Sequence, residues 1–300
     1  MKKKLTVTIG ISAYNEEKNI DFLLSSLLKQ EQLNWKLHCI KVLSDGSTDS
    51  TVIKSKSIKS KYIRVIDDGF QRGKTHRVKE LCASLDSDVL IILDADISLG
   101  SSHVIARLVE HFDRDLNTMV VGGNTRPLKP RTFFQRSVYA TFLVFDKSRE
   151  NIKDGNNIFG CNGQCFAIRK SFAKSIKFQN VINEDDFVYF SCVSRGYNFK
   201  YAKEAVVNYK LPLNLKDYLK QSFRSNPDAV IVNISKYFGP IVQAEYRRPL
   251  KLYVNALLRS FISFPLETIY ISLITLFLKP WYRLISKNYK LSWYTANSTK

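Results

Sequence analysis

In the first half of the chain, short apolar runs alternate with stretches in which apolar residues recur every three to four positions. That is the pattern of strands followed by helices in βαβ units. The runs predict strands at 6–11, 38–43, 63–66, 89–93 and 119–121. Helical periodicity predicts helices at 18–29, 50–59, 74–84 and 101–112, each opened or punctuated by the Asn, Asp, Ser or Gly typical of caps. The fold class that follows is α/β, with a Rossmann-like, mostly parallel central sheet and flanking helices. In such open sheets, function gathers at the carboxyl ends of the strands.

The middle is less regular. Pro127 and Pro130 break the pattern, 132–147 reads as an aromatic-rich helix, 158–168 as a Gly-containing strand region, and 186–194 as a helix ending at Gly196. After about Lys210 the helical stretches are separated by Pro227, Pro240, Pro249, Pro265 and Pro280. The expected division is a catalytic domain over 1–210 and a helical, basic region over 211–300. Within the latter, 261–278 is apolar, but as a helix it reaches only about 27 Å, barely a span. Pro265 and Glu267 shorten its clean part, and basic residues flank both sides without asymmetry. A segment in the membrane plane or re-entrant fits better than a single crossing, the alternative being a soluble helix buried against the domain.

Charge narrows the partners. Among 300 residues, 46 Lys and Arg stand against 27 acidic residues, a net +19, so an anionic partner is expected: a nucleotide diphosphate, an acidic lipid or nucleic acid. Cys39, Cys82, Cys161, Cys165 and Cys192 are odd in number and form no CxxC, which favours free thiols in a reducing compartment. The apolar run after Lys2–Lys4 ends at Ile11, too short for a signal peptide, and the catalytic part is expected to face the cytoplasm.

Four acidic clusters follow strands or open helices: Tyr14-Asn15-Glu16-Glu17, Ser44-Asp45-Gly46-Ser47-Thr48-Asp49, Asp94-Ala95-Asp96 and Glu184-Asp185-Asp186. Each alone reads as a cap or turn, and Asp49 and Ser50 are best explained as caps. Converging on one sheet edge, however, like charges repel unless a cation or donors sit among them. Asp94 and Asp96 follow a buried-strand run, and strand alternation would turn both carboxylates to one side, where they can share a hard cation with a diphosphate. A rival reading takes Gly69-Phe70-Gln71-Arg72-Gly73-Lys74-Thr75 as a phosphate-binding loop of a nucleotide hydrolase or kinase, but only three residues separate its glycines where four are needed. A third reading is a non-enzymatic basic module for membrane or nucleic acid. For nucleic acid, the acidic edge would repel phosphate without metal.

In order and spacing, Ile11-Ser12-Ala13-Tyr14-Asn15-Glu16-Glu17, Ser44-Asp45-Gly46-Ser47-Thr48-Asp49-Ser50-Thr51, Asp94-Ala95-Asp96 and Glu184-Asp185 together resemble the family 2 glycosyltransferases of the GT-A fold, over about residues 5–225. The resemblance implies an inverting, metal-dependent transferase that uses a nucleotide-sugar. Ala13, Tyr14 and Glu16 would hold the nucleoside, Asp45 would accept from the base imide N–H, and Lys74 would lie near the base or phosphates. Asp96 would bind Mg²⁺ or Mn²⁺ through the donor diphosphate, with Asp94 bonding the ribose or assisting the metal. Arg224 would reinforce the leaving group, and Asp185 would be the catalytic base.

The sequence departs from the family pattern at Ser12, where Pro is common, and at Ser44, where Asp is common. Gln221-Ser222-Phe223-Arg224-Ser225 resembles the Gln-x-x-Arg-Trp motif of processive synthases, but with Ser225 in place of Trp. Transfer of one or a few sugars is therefore expected rather than chain extrusion. The resemblance favours UDP over GDP or dTDP. A lipid-linked or glycan acceptor at an anionic membrane surface, on the cytoplasmic face, fits the basic, apolar C-terminal region, and nucleic acid is not an expected partner. The sugar depends on the pocket around Gly122, Gly123, Asn124 and Asn162-Gly163-Gln164.

Overall fold

A computed structural model describes residues 3–224, 226–286 and 299. Its strands are β1 (Leu5–Ala13), β2 (Trp35–Ser44), β3 (Ile63–Asp67), β4 (Val89–Asp94), β5 (Ile97–Leu99), β6 (Thr118–Pro127), β7 (Cys165–Arg169) and β8 (Asn198–Tyr209). They form one sheet in the order β3-β2-β1-β4-β7-β6-β8-β5.

The sheet is mixed, which corrects the expectation of a mostly parallel one. β1 to β4 pair in parallel, whereas β7 runs antiparallel to both β4 and β6, and β5 antiparallel to β8. Within the parallel half, β4 is announced by a continuous apolar run because it is covered on both faces, whereas the edge strand β3 has no buried residue. β8 hides its signal: its buried positions alternate through Phe199 and Tyr201, then slip at Ala202 before Lys203 and Glu204 turn outward. β5 has three residues, too few for any period to show.

The helices are α1 (Ile20–Leu28), α2 (Thr51–Ser57), α3 (Lys74–Ala83), α4 (Val104–Arg114), α5 (Phe133–Asn151), α6 (Lys170–Ser175), α7 (Glu184–Val193), α8 (Leu215–Arg224), α9 (Pro227–Phe238), α10 (Pro240–Tyr246), α11 (Leu250–Ser263) and α12 (Pro265–Ser286). α1 shows why the periodic segments fold as they do. Ile20, Leu23, Leu24 and Leu27 make one apolar stripe, and all four are buried in the core with Val7, Ile9 and Ile11 of β1.

The described chain divides into two compact units. One comprises residues up to 126 and 160–209, and the other 127–159 and those from 210 onward. Where the sequence suggested a single stretch through 210, the segment carrying α5 thus clusters with the C-terminal helices, because α5 packs on α11 and α12. The first unit holds the sheet with α1 to α4, α6 and α7. In it the parallel strands end level: Ala13 pairs with Ser44, Ser44 with Asp67, and Ser12 with Asp94. Three of the four acidic motifs therefore leave the sheet at one edge.

Candidate active site

The loops after β1 and β2 are stitched together by their own side chains. Asn15, in the left-handed region at φ 54°, donates its backbone N–H to Ser47 Oγ and accepts from the Thr48 N–H at 2.8 Å. Glu16 N–H donates to Thr51 Oγ1 at 2.7 Å, Glu17 N–H to Asp49 Oδ2 at 3.1 Å, and Ser50 N–H to Glu17 Oε2 at 3.1 Å. Asp49 also accepts from the Thr51 N–H, as a cap should, but Ser50 makes no capping bond with its side chain. Tyr14 is half-buried in this clasp, whereas Glu16 is buried and accepts from Asn19 at 2.7 Å. Ala13 is wholly buried, and its carbonyl accepts from the Asp45 N–H at 2.8 Å. These residues shape the loop more than they line an opening.

Asp45 is also wholly buried. Its carboxylate accepts from the N–H groups of Arg72 (2.9 Å) and Gly73 (3.0 Å) and from Arg77 Nε (2.9 Å). Arg77, itself 1% exposed, reaches on to Asp68, Glu80 and the Phe70 carbonyl. Hydrogen bonding from Arg77 and then from the Phe70 N–H holds the Asp68 carboxyl far below the usual carboxylate range. In this arrangement Asp45 pins loop 68–73. The same contacts dispose of the phosphate-loop reading, because the N–H groups that would cradle phosphate point at a carboxylate. Arg77→Met removes one partner of a buried charge pair and is expected to destabilise the fold by about 3–5 kcal/mol, measured by denaturant unfolding.

Lys74, at the start of α3, closes a circuit between the other two motifs. Its Nζ lies 2.7 Å from Asp94 Oδ1, 2.8 Å from Glu184 Oε1 and 2.8 Å from the Gly163 carbonyl. Three acceptors match the three N–H bonds of an ammonium. Gly163 in turn donates its N–H to Asp185 Oδ2 at 2.6 Å, and a side chain at Gly163 would place its Cβ 2.9 Å from Lys74 Nζ and 3.1 Å from Glu184 Oε1. Burial opposes charge on Lys74, but Asp94, Glu184 and Asp185 together outweigh it and hold its pKa above that of an ordinary lysine. Asp185 is pushed the other way for an acid. Burial, then Asp186 and Glu184, raise its pKa well above the usual carboxylate range against the pull of Lys74. Lys74 was expected near base or phosphates; the structure places it among carboxylates.

Asp94 ends β4 and Asp96 sits in the turn before β5, so the pair is presented by a turn and not by strand alternation. Both are partly exposed. Among the described residues no group of three or more His, Cys, Asp or Glu side chains is arranged to hold a metal ion. Two hard carboxylates at a partly open edge nonetheless suit a hard divalent cation whose remaining oxygens come from a diphosphate and water.

Gly122, Gly123 and Asn124 do not border open space. They are buried, and a Cβ at Gly122 would meet the Gly160 carbonyl at 2.0 Å. All five cysteines are buried free thiols; burial pushes Cys165, beside Asp94, up to about 12, which leaves it inert. Arg224 closes α8, but its side chain and all of Ser225 lie outside the described residues.

Arg77, Gly163 and Glu184 were not singled out for these roles. Arg77 carried a readable signal, a charge in helical register with the buried Val78 and Leu81 of α3. Gly163 had none beyond a turn-forming Asn-Gly.

The family model described as glycosyl transferase family 2 matches residues 8–177. A 4,4'-diaponeurosporenoate glycosyltransferase of Staphylococcus haemolyticus is 31% identical over 114 residues, 36% of this chain but only 29% of the relative. Among solved structures, a mannosyltransferase of Pyrobaculum calidifontis in complex with GDP-Man and Mn²⁺ superposes with TM-score 0.61 at 18% identity, covering 95% of this chain and 84% of that one. Glucosyl-3-phosphoglycerate synthase of Mycobacterium tuberculosis, in complex with Mn²⁺, UDP-glucose and phosphoglyceric acid, superposes with TM-score 0.54 at 17% identity over 78% and 80% of the two chains. At such identities the likeness is one of fold, a mixed α/β sheet of the GT-A type with flanking helices.

Proposed function

The chain belongs to glycosyl transferase family 2, and on that footing we propose that it is an inverting, metal-dependent transferase that moves a sugar from a nucleotide-sugar, preferably a UDP-sugar, to a hydroxyl of a membrane-held lipid-linked or glycan acceptor at the cytoplasmic face. One observation carries this reading. A partly exposed acid with a raised pKa, Asp185, is tied through Gly163 and Lys74 to Asp94 at the end of a parallel strand. A proton acceptor and a cation-binding carboxylate are thus held in fixed relation, the requirement of a displacement at an anomeric carbon.

In this reading Tyr14 and the clasped 14–17 loop border the nucleoside, with Asp45 fixing the neighbouring loop through Arg77. Asp96, with Asp94, would hold Mg²⁺ or Mn²⁺, which when bound acts as a Lewis acid toward the leaving diphosphate. Asp185 takes the acceptor hydroxyl proton as that oxygen attacks opposite the leaving group; one displacement turns an α-linked donor into a β-linked product. GDP-Man, UDP-glucose and Mn²⁺ in the structural neighbours support the donor class and the metal. A thermal-shift series with Mn²⁺ tests the nucleotide. UDP at a hundred times its Kd should add about 2.7 kcal/mol of stability and exceed GDP and dTDP; no shift with any of them would contradict a donor site here.

Lys74, saturated by protein acceptors, acts by positioning. Lys74→Met is expected to lower kcat about a hundredfold, as misplacement of a reacting group does, while the UDP Kd from calorimetry changes little. Loss of UDP binding with near-normal turnover at saturation would instead make Lys74 a phosphate ligand.

A further inference from the structure

The last two helices are built inside out. α12 buries Glu267, Thr268, Ile271 and Leu278, and turns outward Leu266, Ile269, Leu273, Leu276, Phe277 and Trp281, the last two of these 74% and 61% exposed. The outward positions recur at helical spacing, so they form one stripe. α11 does the same, burying Ala256 and Ser260 while Leu250, Val254, Leu258, Phe261 and Ile262 face out. Small and polar groups enter the inner seam beside the buried Val138, Phe142, Ile271 and Leu278. Ser260 Oγ bonds the Ala140 carbonyl at 3.1 Å and lies 3.1 Å from Thr268 Oγ1; Glu267 pairs with Arg136 of α5 at 2.7 Å; Ser137 and Ala140 of α5 are buried.

Water would favour the opposite arrangement, since large apolar side chains are stabilised by burial and hydroxyls are not. Small residues inside, polar side chains as glue and bulky apolar residues outside is how helices pack in lipid. No helix among the described residues is long and apolar enough to cross a membrane. We therefore propose that the α11–α12 hairpin docks in the plane of an anionic bilayer, with its apolar stripe in the acyl boundary and its basic residues at the headgroups.

Charge selects lipid over a second copy of the chain. α11 contains no acid, the single acid of α12 is the paired Glu267, and Arg247, Lys251 and Arg259 are exposed. Two such faces brought together would set like charges against each other, whereas an anionic leaflet complements them. Tyr253 and Tyr270 are exposed on the same helices and suit the headgroup level. The surface also deepens the proposed reaction, on which its purpose rests, by bringing the enzyme to where a lipid-linked acceptor resides.

The test is co-sedimentation of the full chain with vesicles of phosphatidylcholine alone and with added phosphatidylglycerol, alongside calorimetry of UDP with Mn²⁺ on the same preparations. Binding should be at least about tenfold tighter to the anionic vesicles, at roughly fivefold per basic side chain. Lys251→Glu with Arg259→Glu should abolish that preference. Leu273→Ser with Phe277→Ser should weaken binding to both vesicle types at least about tenfold, with circular dichroism unchanged. Binding to neither vesicle, binding indifferent to the Leu273/Phe277 pair, or a soluble oligomer that the pair dissolves without any vesicle binding would each overturn the proposal. Vesicle binding lost with UDP binding kept counts against the surface alone; the reverse counts against the enzyme reading alone.

Discussion

Asp185→Asn is expected to lower sugar transfer by about 10²–10⁴-fold, the contribution of a positioned general base, while leaving UDP binding within a few-fold of wild type. The amide keeps an oxygen for the Gly163 N–H, and Lys74 keeps Asp94 and Glu184, so the circuit survives without its base. The pH dependence should agree. With its pKa raised by burial, then by Asp186 and Glu184, Asp185 ionises above the usual carboxylate range, and kcat/KM of the wild type should climb with pH across that ionisation. Stability runs the other way. An acid with a raised native pKa keeps its proton in the folded chain after the unfolded chain has lost it, so wild-type stability falls as pH rises from the unfolded to the native value. Asp185→Asn should therefore melt higher than wild type above that window and equally below it. An inactive variant with an unchanged melting profile would leave the base assignment without its electrostatic cause, and an active one would place the base elsewhere.

Asp96→Asn should reduce turnover by about 10³-fold, equivalent to the several kcal/mol that a Lewis acid supplies at a leaving phosphate, and chelation should do the same to wild type. Asp94→Asn is expected to be worse than a pure metal defect. Asp94 also holds Lys74 at 2.7 Å, and weakening that contact loosens Gly163 and hence Asp185. The contrast is measurable as a split. Excess Mn²⁺ should rescue part of the Asp96→Asn defect and little of that of Asp94→Asn. Equal rescue of both would mean that Lys74 does not relay between the two motifs.

The half of the fold that was legible from sequence is the half dictated by local physics. β4 is buried on both faces and reads as an unbroken apolar run, β1 is almost wholly buried, and α1 and α3 carry their apolar stripes at helical spacing. β7 falls within the strand region read at 158–168, but its antiparallel pairing was hidden because its partners are distant in sequence, and β8 was missed because its alternation slips at Ala202. The clustering of α5 with α11 and α12 mixes buried small and polar residues with Val138, Phe142, Ile271 and Leu278, which blurs the hydrophobic period. In the site, residue types and motif order pointed to the sheet edge, and the structure adds the wiring. A lysine one residue beyond a glycine, as Lys74 is, says nothing in sequence of its three acceptors. A buried arginine explains why Asp45 organises a loop and does not face an opening. Side chains that work through another residue leave the faintest trace in sequence, since their roles exist only once the chain has folded.

Calorimetry of UDP binding to the wild-type chain with and without Mn²⁺, repeated on Asp96→Asn, tests the central claim most directly. Binding that requires Mn²⁺ in the wild type and is lost in Asp96→Asn is the predicted result; binding indifferent to both the metal and Asp96 would contradict a donor site at this edge of the sheet.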